Sequence, residues 1–164
     1  AGEPGGLLQA GQGVTVAQRL SELGITLPEV PAPVAAYVPA VRSGRHIYTS
    51  GQLPFADGAL LHAGLVGSDV SVSDAVDCAR QCALNALAAV ASQASGLDGV
   101  RIVKVVGFVA SAEGFTAQPQ VINGASELIG EVLGEYGIHA RSAVGVAALP
   151  LNAPVEVEVI AEVL

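Results

Sequence analysis

Apolar residues recur along this chain at two spacings, and each spacing predicts one kind of secondary structure. Intervals of three and four residues are typical of an amphipathic helix. They occur in residues 14–23, 71–94 and 119–133. The second segment begins at a Ser71 or Ser73 cap, and the third opens at Pro119, a favoured first-turn residue. We therefore predict a short leading helix and two longer ones.

Short runs rich in Val, Ile and small residues predict strands between and after the helices. The predicted strands are residues 34–41, 46–50, 100–110, 140–148 and 154–163, with a further short strand at 59–62. Ser43-Gly44 and Asp57-Gly58 mark turns, and Pro39 indicates an edge position or a bulge in the first strand. A turn containing Pro and Asn joins the last two strands.

The order of these elements predicts an α+β fold in which two helices cover one face of a sheet. The other face is rich in Val and Ala and would stay open, and monomers rarely expose so much apolar surface. We therefore infer a homo-oligomer that buries the second face. Residues 1–13 are predicted to be a flexible leader. Residues 14–164 are expected to form a single domain, with a helix and a Pro-rich connector at 14–32 and the core at 33–164.

Composition narrows the classes of partner. The chain has 164 residues, about half of them apolar, and a formal net charge of −8. This charge disfavours electrostatic binding to nucleic acid or to anionic lipid. No run approaches the length of a membrane span, and the N-terminal residues lack the order of a signal peptide. A cytoplasmic location is the expectation that follows.

The cysteines and histidines do not predict a metal site. Cys78 and Cys82 are four residues apart on a predicted helix, without further soft ligands nearby, so we interpret them as buried core residues. His46, His62 and His139 lack metal-ligand spacing and are expected to be structural or solvated. His139 lies close to Arg141 in sequence, which leaves open a minor role in a pocket.

Arg141 and the acidic residues that follow it are the strongest chemical signal. Arg141 lies at the start of a predicted strand of apolar residues. Burying a guanidinium among such residues costs free energy unless it meets an anion. Its planar fork suits a carboxylate or a phosphate. One hypothesis is therefore a small acidic ligand held by Arg141 with a carboxylate base nearby. The alternative is a structural ion pair, with Glu156 or with an acidic residue of a neighbouring subunit.

Several motifs in this order resemble the RidA/YjgF family, also called the endoribonuclease L-PSP family. The resemblance spans about residues 33–163. It is carried by Tyr37, the segment Thr49-Ser50-Gly51-Gln52-Leu53-Pro54, Asn85, Asn123, Ala140-Arg141-Ser142, Leu149-Pro150 and Val155-Glu156-Val157-Glu158. It implies a chorismate-mutase-like fold, a homotrimer, and three clefts between subunits. It also implies hydrolysis of reactive enamine and imine acids to 2-oxo acids and ammonia, without a metal or an organic cofactor.

The resemblance also implies roles for individual residues. Arg141 would bind the substrate carboxylate, and Glu156 would orient or activate the attacking water. The pocket would be completed by Tyr37, Ser50 and Gly51, by Asn123 near its rim, and by the backbone carbonyl of Ala143. We expect Glu156 and Glu158 to lie on opposite faces of their strand, so that one of them faces the cleft, and the motif favours Glu156.

The sequence departs from the family pattern at several positions. Ala143 stands where a Cys often follows the Arg-Ser pair, and Gly145 stands where an acidic residue is common. One additional residue separates Asn123 from Arg141, and the N-terminal helix extends beyond the short family form. Two alternatives to a deaminase therefore stay open: a binding or chaperone-like module without turnover, and a ribonuclease. The net charge and the lack of aromatic stacking platforms disfavour the ribonuclease.

Overall fold

The computed structural model describes residues 13–30 and 36–164, and its main body is a mixed sheet covered on one face by helices. The elements in chain order are α1 (Val16–Glu22), β1 (Ala40–Ser43), β2 (His46–Thr49), β3 (Phe55–Ala56), β4 (Ala59–Leu60), α2 (Val72–Ala94), β5 (Val100–Ala110), α3 (Gln118–Leu133), β6 (Ala140–Val146) and β7 (Val155–Val163). The α+β fold predicted from the sequence is confirmed.

The main sheet, within the described residues, has five strands in the order β1-β2-β7-β5-β6. All neighbours are antiparallel except β5 and β6, which run parallel. The last two strands of the chain are therefore not neighbours, because β5 lies between them. This separation decides the geometry of the candidate site, since Arg141 is on β6 and Glu156 is on β7.

The two long helices form where their caps predict. Ser71 caps α2 by accepting a hydrogen bond from the Asp74 backbone N–H at 3.1 Å, and α2 ends at Ser95 in the left-handed conformation. Pro119 lies in the first turn of α3. Cys78 and Cys82 lie on the buried face of α2 as free thiols, as expected for core residues. Burial is the main cause that raises the pKa of the Cys78 thiol to about 11.

Close helix packing covers one face of the sheet. A Cβ at Gly124 of α3 would lie 3.0 Å from the carbonyl carbon of Val76 on α2, so only glycine lets the helices approach this closely. Below them, the buried strand residues form one core with the helices, and they include Ile47, Ile102, Val105, Val109, Val155, Val157, Val159 and Ala161. The helices thus bury alternate residues along much of β5 and along β7.

The opposite face of the sheet stays open in this chain. Val41, Tyr48 and Val144 are exposed there, and Glu158 and Ile160 are half-buried. Glu156 lies on the same face, because it alternates along β7 with buried Val155 and Val157. The expectation that Glu156 and Glu158 face opposite sides is therefore wrong: residues two positions apart on a strand share a face.

The first strand begins later than the sequence pattern predicts. β1 starts at Ala40 instead of near residue 34, and of the predicted strand residues 34 and 35 lie outside the described residues. Pro39 explains the start, because it has no N–H to donate to a sheet ladder. The Asp57-Gly58 turn is confirmed as a tight hairpin between β3 and β4, with φ of 52° and 81°. The sequence did not predict β3.

The N-terminal segment packs on the ends of other elements. Thr15 and Gln18 form a capping box at the start of α1, and the Val16 N–H donates to Asp98 Oδ1 at 3.0 Å. Arg19 Nη1 donates to the Val132 carbonyl at 3.4 Å, which places a cation at the C-terminus of α3. The predicted leader lies almost wholly outside the described residues. No helix of the described chain is long and apolar enough to cross a membrane.

Candidate functional site

Arg141 extends from the edge strand β6 toward α3, where the protein holds its guanidinium. Nη1 donates to Asn123 Oδ1 at 2.8 Å and to Ser126 Oγ at 3.2 Å, and Nη2 donates to the Pro119 carbonyl at 3.4 Å. Asn123 and Ser126 are three residues apart on one helix face, so both reach the same cation. We call Arg141, Asn123 and Ser126 the arginine group.

The guanidinium of Arg141 keeps donors for a ligand. A guanidinium has five N–H donors. Nε–H and one Nη2–H of Arg141 have no partner among residues 13–30 and 36–164. Nε and Nη2 form one edge of the guanidinium, and an arginine edge of this kind can bind the two oxygens of a carboxylate. The structural ion pair with Glu156 does not form, because within the described chain no Asp or Glu oxygen lies within 4.0 Å of this guanidinium.

Ser126 is in turn bonded to a histidine. His139 Nε2 lies 2.9 Å from Ser126 Oγ, and His139 Nδ1 lies 2.6 Å from the Gly137 carbonyl oxygen. The sequence analysis did not select Ser126. The available signal was its position three residues after Asn123 on a predicted helix, together with the proximity of His139 to Arg141.

A β-bulge shapes the other side of the candidate site. Tyr48 pairs with Ile160, whereas Gln52 pairs with Val157, so β2 and its continuation carry one residue more than β7 over this stretch. The Thr49 hydroxyl replaces the missing backbone partner and accepts the Val159 N–H at 3.0 Å. Bulges of this kind redirect the chain and are frequent beside active sites.

Ser50 lies in the bulge and ties it to the segment before β1. Its hydroxyl donates to the Val38 carbonyl at 2.6 Å, and its N–H donates to the Pro39 carbonyl at 2.8 Å. Tyr37 precedes this segment with 66% of its surface exposed. Because the Ser50 proton is committed to a backbone carbonyl, the geometry agrees with a turn or pocket-lining residue and gives no sign of an activated nucleophile.

Gly51 and Glu156 are in close contact. A Cβ at position 51 would lie 2.7 Å from the Glu156 carboxyl carbon, so a glycine is needed for the carboxylate to occupy this position. Burial raises the pKa of the Glu156 carboxyl above its usual value, and the nearby charge of Glu158 raises it further. A carboxylate with a raised pKa is a stronger proton acceptor, as a general base requires. We call Ser50, Gly51 and Glu156 the glutamate group.

Asn85 holds the loop that follows the glutamate group. From α2, its Nδ2 donates to the Leu53 carbonyl at 2.9 Å and to the Phe55 carbonyl at 3.1 Å. Its Oδ1 accepts a hydrogen bond from Gln81 at 3.1 Å. Asn85 was part of the motif resemblance without an assigned role, and the structure shows that it fixes the loop after the bulge.

The arginine group and the glutamate group lie on opposite faces of the sheet. On β5, Val105 pairs with Arg141 and Phe108 pairs with Glu156. Val105 faces the helices and Phe108 faces the open side, and paired residues share a face. Arg141 on β6 and Glu156 on β7 are two strand spacings apart, because β5 lies between these strands, and they are offset along the strands by the three residues from Val105 to Phe108. Their Cα atoms are therefore roughly 14 Å apart. Within one chain these side chains therefore do not surround a single small molecule.

The remaining predicted site residue, Ala143, lies on the same strand face as Arg141. It pairs with Gly107 on β5 and packs against the core. Gly145 follows on that face, where a Cβ would lie 2.7 Å from Gln118 Nε2 and 3.0 Å from Ser111 Oγ. The absence of a side chain here therefore leaves room for Gln118, the first residue of α3, and for Ser111 after β5. No group of three or more His, Cys, Asp or Glu side chains within the described residues is arranged to hold a metal ion.

The fold and the site define an α+β protein with an arginine suited to a carboxylate on one face of its sheet and a poised carboxylate on the other. The sequence profile of the Endoribonuclease L-PSP family matches residues 28–163. Because the match covers most of the chain, the protein belongs to this family.

Individual relatives agree with this assignment. Protein TCP17 of Trypanosoma cruzi is 45% identical over 149 residues, which cover 90% of this chain and 93% of that protein. The 2-iminobutanoate/2-iminopropanoate deaminase of Dermatophagoides farinae is 33% identical over 142 residues, which cover 82% of this chain and 91% of the deaminase. The crystal structure of Atu1372 from Agrobacterium tumefaciens, of unknown function, has a TM-score of 0.84 at 49% identity, with 90% of this chain and 92% of that chain covered.

Proposed function

We propose that this protein hydrolyses 2-imino acids and their enamine tautomers to 2-oxo acids and ammonia, in clefts between the subunits of a homotrimer. The observation that carries the proposal is the Arg141 guanidinium, which residues of α3 hold in place while its Nε–H and one Nη2–H have no partner among the described residues. The relative from Dermatophagoides farinae, which is named as a deaminase of this kind, supports the substrate class.

The proposed reaction needs a positioned water and one proton acceptor. Arg141 binds the substrate carboxylate and so fixes the adjacent imine carbon. Glu156 accepts a proton as a water oxygen bonds to that carbon and the C=N π bond opens, and this proton then passes to the nitrogen to give a carbinolamine. The hydroxyl proton of the carbinolamine next moves to the amine nitrogen, again through Glu156, as the C–N bond breaks and the C=O bond forms, so that ammonia leaves. The imine carbon is already electrophilic, so orientation and general base catalysis are sufficient.

Two observations support the homotrimer. Val41, Tyr48 and Val144 are exposed apolar residues on the open face of the sheet, and a second subunit would cover them. The arginine group and the glutamate group also face away from each other within one chain. Both can contact one substrate when each comes from a different subunit. A cytoplasmic location remains the prediction made from the sequence.

A coupled assay tests the proposal. A pyridoxal-phosphate enzyme generates short-lived imines from several amino acids, and formation of the 2-oxo acid is followed with and without this protein. We expect the wild type to accelerate the reaction and Arg141→Ala to abolish the acceleration, with Arg141→Lys unable to restore it fully, because an ammonium cannot form the bidentate contact. Arg80→Ala, which removes an arginine from an ion pair between α2 and α3, is the matched control.

Three outcomes would contradict the deaminase proposal. Full activity in Arg141→Ala would remove the assigned role of the arginine. Failure of the wild-type oligomer to accelerate hydrolysis of any imine, combined with measurable binding of 2-oxo acids, would favour a non-catalytic binding module. Cleavage of purified RNA that is lost in Glu156→Ala would favour a ribonuclease.

A further inference from the structure

We propose that Ser126 and His139 are positioning residues that hold the Arg141 guanidinium in the orientation that binds a substrate carboxylate. This inference rests on the proposed function, because it concerns how the same arginine meets its ligand. Ser126 contacts the Arg141 guanidinium and His139 contacts Ser126, so neither residue is assigned a contact with the substrate. Both would affect the reaction only through Arg141.

The contacts form a continuous chain from the backbone to the guanidinium. His139 Nδ1 lies 2.6 Å from the Gly137 carbonyl, His139 Nε2 lies 2.9 Å from Ser126 Oγ, and Ser126 Oγ accepts Arg141 Nη1–H at 3.2 Å. All three side chains are half-buried. The histidine is thus anchored at one nitrogen and presents the other to the serine.

The direction of each hydrogen bond follows from the chemistry of the groups. A carbonyl oxygen accepts only, so His139 Nδ1 carries the proton in this contact. In the neutral imidazole Nε2 is then an acceptor, and the Ser126 hydroxyl donates to it. The lone pairs of Ser126 Oγ therefore point toward Arg141. A hydroxyl oriented by a histidine is a better fixed acceptor for a guanidinium than a freely rotating one.

Of the two side chains that accept from the guanidinium, Ser126 is the half-buried one. Asn123 lies closer, at 2.8 Å, but is exposed to water, and the Pro119 carbonyl lies 3.4 Å from Nη2. An arginine loses side-chain conformational entropy when it is fixed. A contact that fixes it before the ligand arrives removes part of that cost from binding, which lowers KM.

The first experiment reads the tautomer directly and does not depend on activity. Nitrogen-15 NMR of the imidazole in the wild-type protein should show neutral His139 protonated at Nδ1. Free histidine prefers the other tautomer. In Ser126→Ala, Nε2 loses its donor and its chemical shift should change. A wild-type His139 protonated at Nε2 when neutral would overturn the proposal.

The second experiment measures the effect on substrate. We expect Ser126→Ala to raise KM, and the dissociation constant for a 2-oxo acid, by roughly three- to tenfold with a smaller change in kcat, because one hydrogen bond to the cation is lost. Ser126→Thr keeps a hydroxyl and should restore most of the affinity. Ser92→Ala is the matched control, since Ser92 also lies in a long helix and its hydroxyl donates only to the Ala89 carbonyl.

A double substitution tests whether the two residues act as one unit. Removing His139 should weaken binding as Ser126→Ala does, and the double variant Ser126→Ala/His139→Ala should be no weaker than the poorer single variant. Fully additive losses would overturn the relay. An unchanged KM in Ser126→Ala beside an inactive Arg141→Ala would also reject the relay while leaving the deaminase proposal intact. If Arg141→Ala is fully active, the deaminase proposal fails, and the NMR result still decides the hydrogen-bond chain.

Discussion

The arginine group and the glutamate group are built by different means, although both lie on the same sheet. Side chains of α3 hold Arg141, so its orientation is complete within one chain. Backbone geometry holds Glu156: a bulge brings Gly51 against the carboxylate, and no side-chain hydrogen bond to that carboxylate is present among the described residues. In the proposed reaction the first group binds the substrate carboxylate, and the second accepts a proton.

The difference between the two faces has an electrostatic consequence. Glu156 sits on a face that this chain leaves partly open, yet burial already raises the pKa of its carboxyl. A neighbouring subunit on that face would remove more water, which raises the pKa of the carboxyl, whereas an arginine brought close by that subunit would lower it. In the proposed trimer these two opposing effects would together set the pKa of the base.

The largest expected effect comes from Glu156→Gln, which keeps the shape of the side chain and removes the base. We expect imine hydrolysis to fall by roughly 10²- to 10⁴-fold, the usual contribution of general base catalysis. Binding of a 2-oxo acid should change little, because Arg141 is intact. If the loss instead appears as a higher dissociation constant with unchanged turnover, Glu156 contributes to binding and is not the base.

The same variant has a predicted effect on stability. The pKa of Glu156 is higher in the folded state than in the unfolded state, so the native protein binds this proton more tightly. The resulting stability is present at low pH and is lost as the pH rises through the folded pKa. Glu156→Gln should therefore gain stability relative to the wild type as the pH is raised. Urea unfolding at a series of pH values measures this slope, and a pH-independent difference would contradict it.

A smaller effect is expected when Glu156 is displaced rather than removed. In Gly51→Ala the new methyl group would take the space of the Glu156 carboxylate, whose flexible side chain must move aside. We expect kcat to fall by roughly tenfold to 10²-fold, since misplacement of a catalytic group by about 1 Å can cost on the order of 10²-fold. Gly130→Ala is the control, because a methyl group on this part of α3 meets no atom within 4 Å and should leave activity unchanged. Unaltered kcat in Gly51→Ala would show that the position of Glu156 is not critical.

The smallest effect is expected from Glu158→Gln. The negative charge of Glu158 is the second cause that raises the pKa of Glu156, so its removal should lower that pKa. If Glu156 is the base, the acidic limb of the pH–rate profile should therefore shift to lower pH. Maximal activity should stay near the wild-type level. A profile that shifts to higher pH would contradict the assignment of this limb to Glu156.

The local signals in the sequence predicted most of the fold. Ser71 and Pro119 indicated the two long helices, and the run at residues 100–110 matches β5. The prediction failed for the start of β1, where Pro39 delays pairing. It also failed to show that β6 and β7 are separated by β5, because strand order depends on contacts between residues far apart in sequence.

The candidate site was predictable in its residues and not in its geometry. Arg141 and Asn123 were expected in one pocket, and the structure brings them together. The support from Ser126 and His139 depends on how a helix lies against an edge strand, which no single segment encodes. The separation of Arg141 from Glu156 follows from strand order. It leads to the claim that each site takes Arg141 from one subunit and Glu156 from another.

Mixing of two inactive variants tests that claim most directly. Arg141→Ala and Glu156→Gln subunits are refolded together, and imine hydrolysis by the mixed oligomers is compared with that of each variant alone. If each site takes Arg141 and Glu156 from different subunits, random mixing of equal amounts should restore roughly a quarter of the wild-type activity. The subunit that supplies the arginine has it intact in about half of the sites, and the same holds independently for the subunit that supplies the glutamate. Mixed oligomers with no more activity than the separate variants would contradict the account.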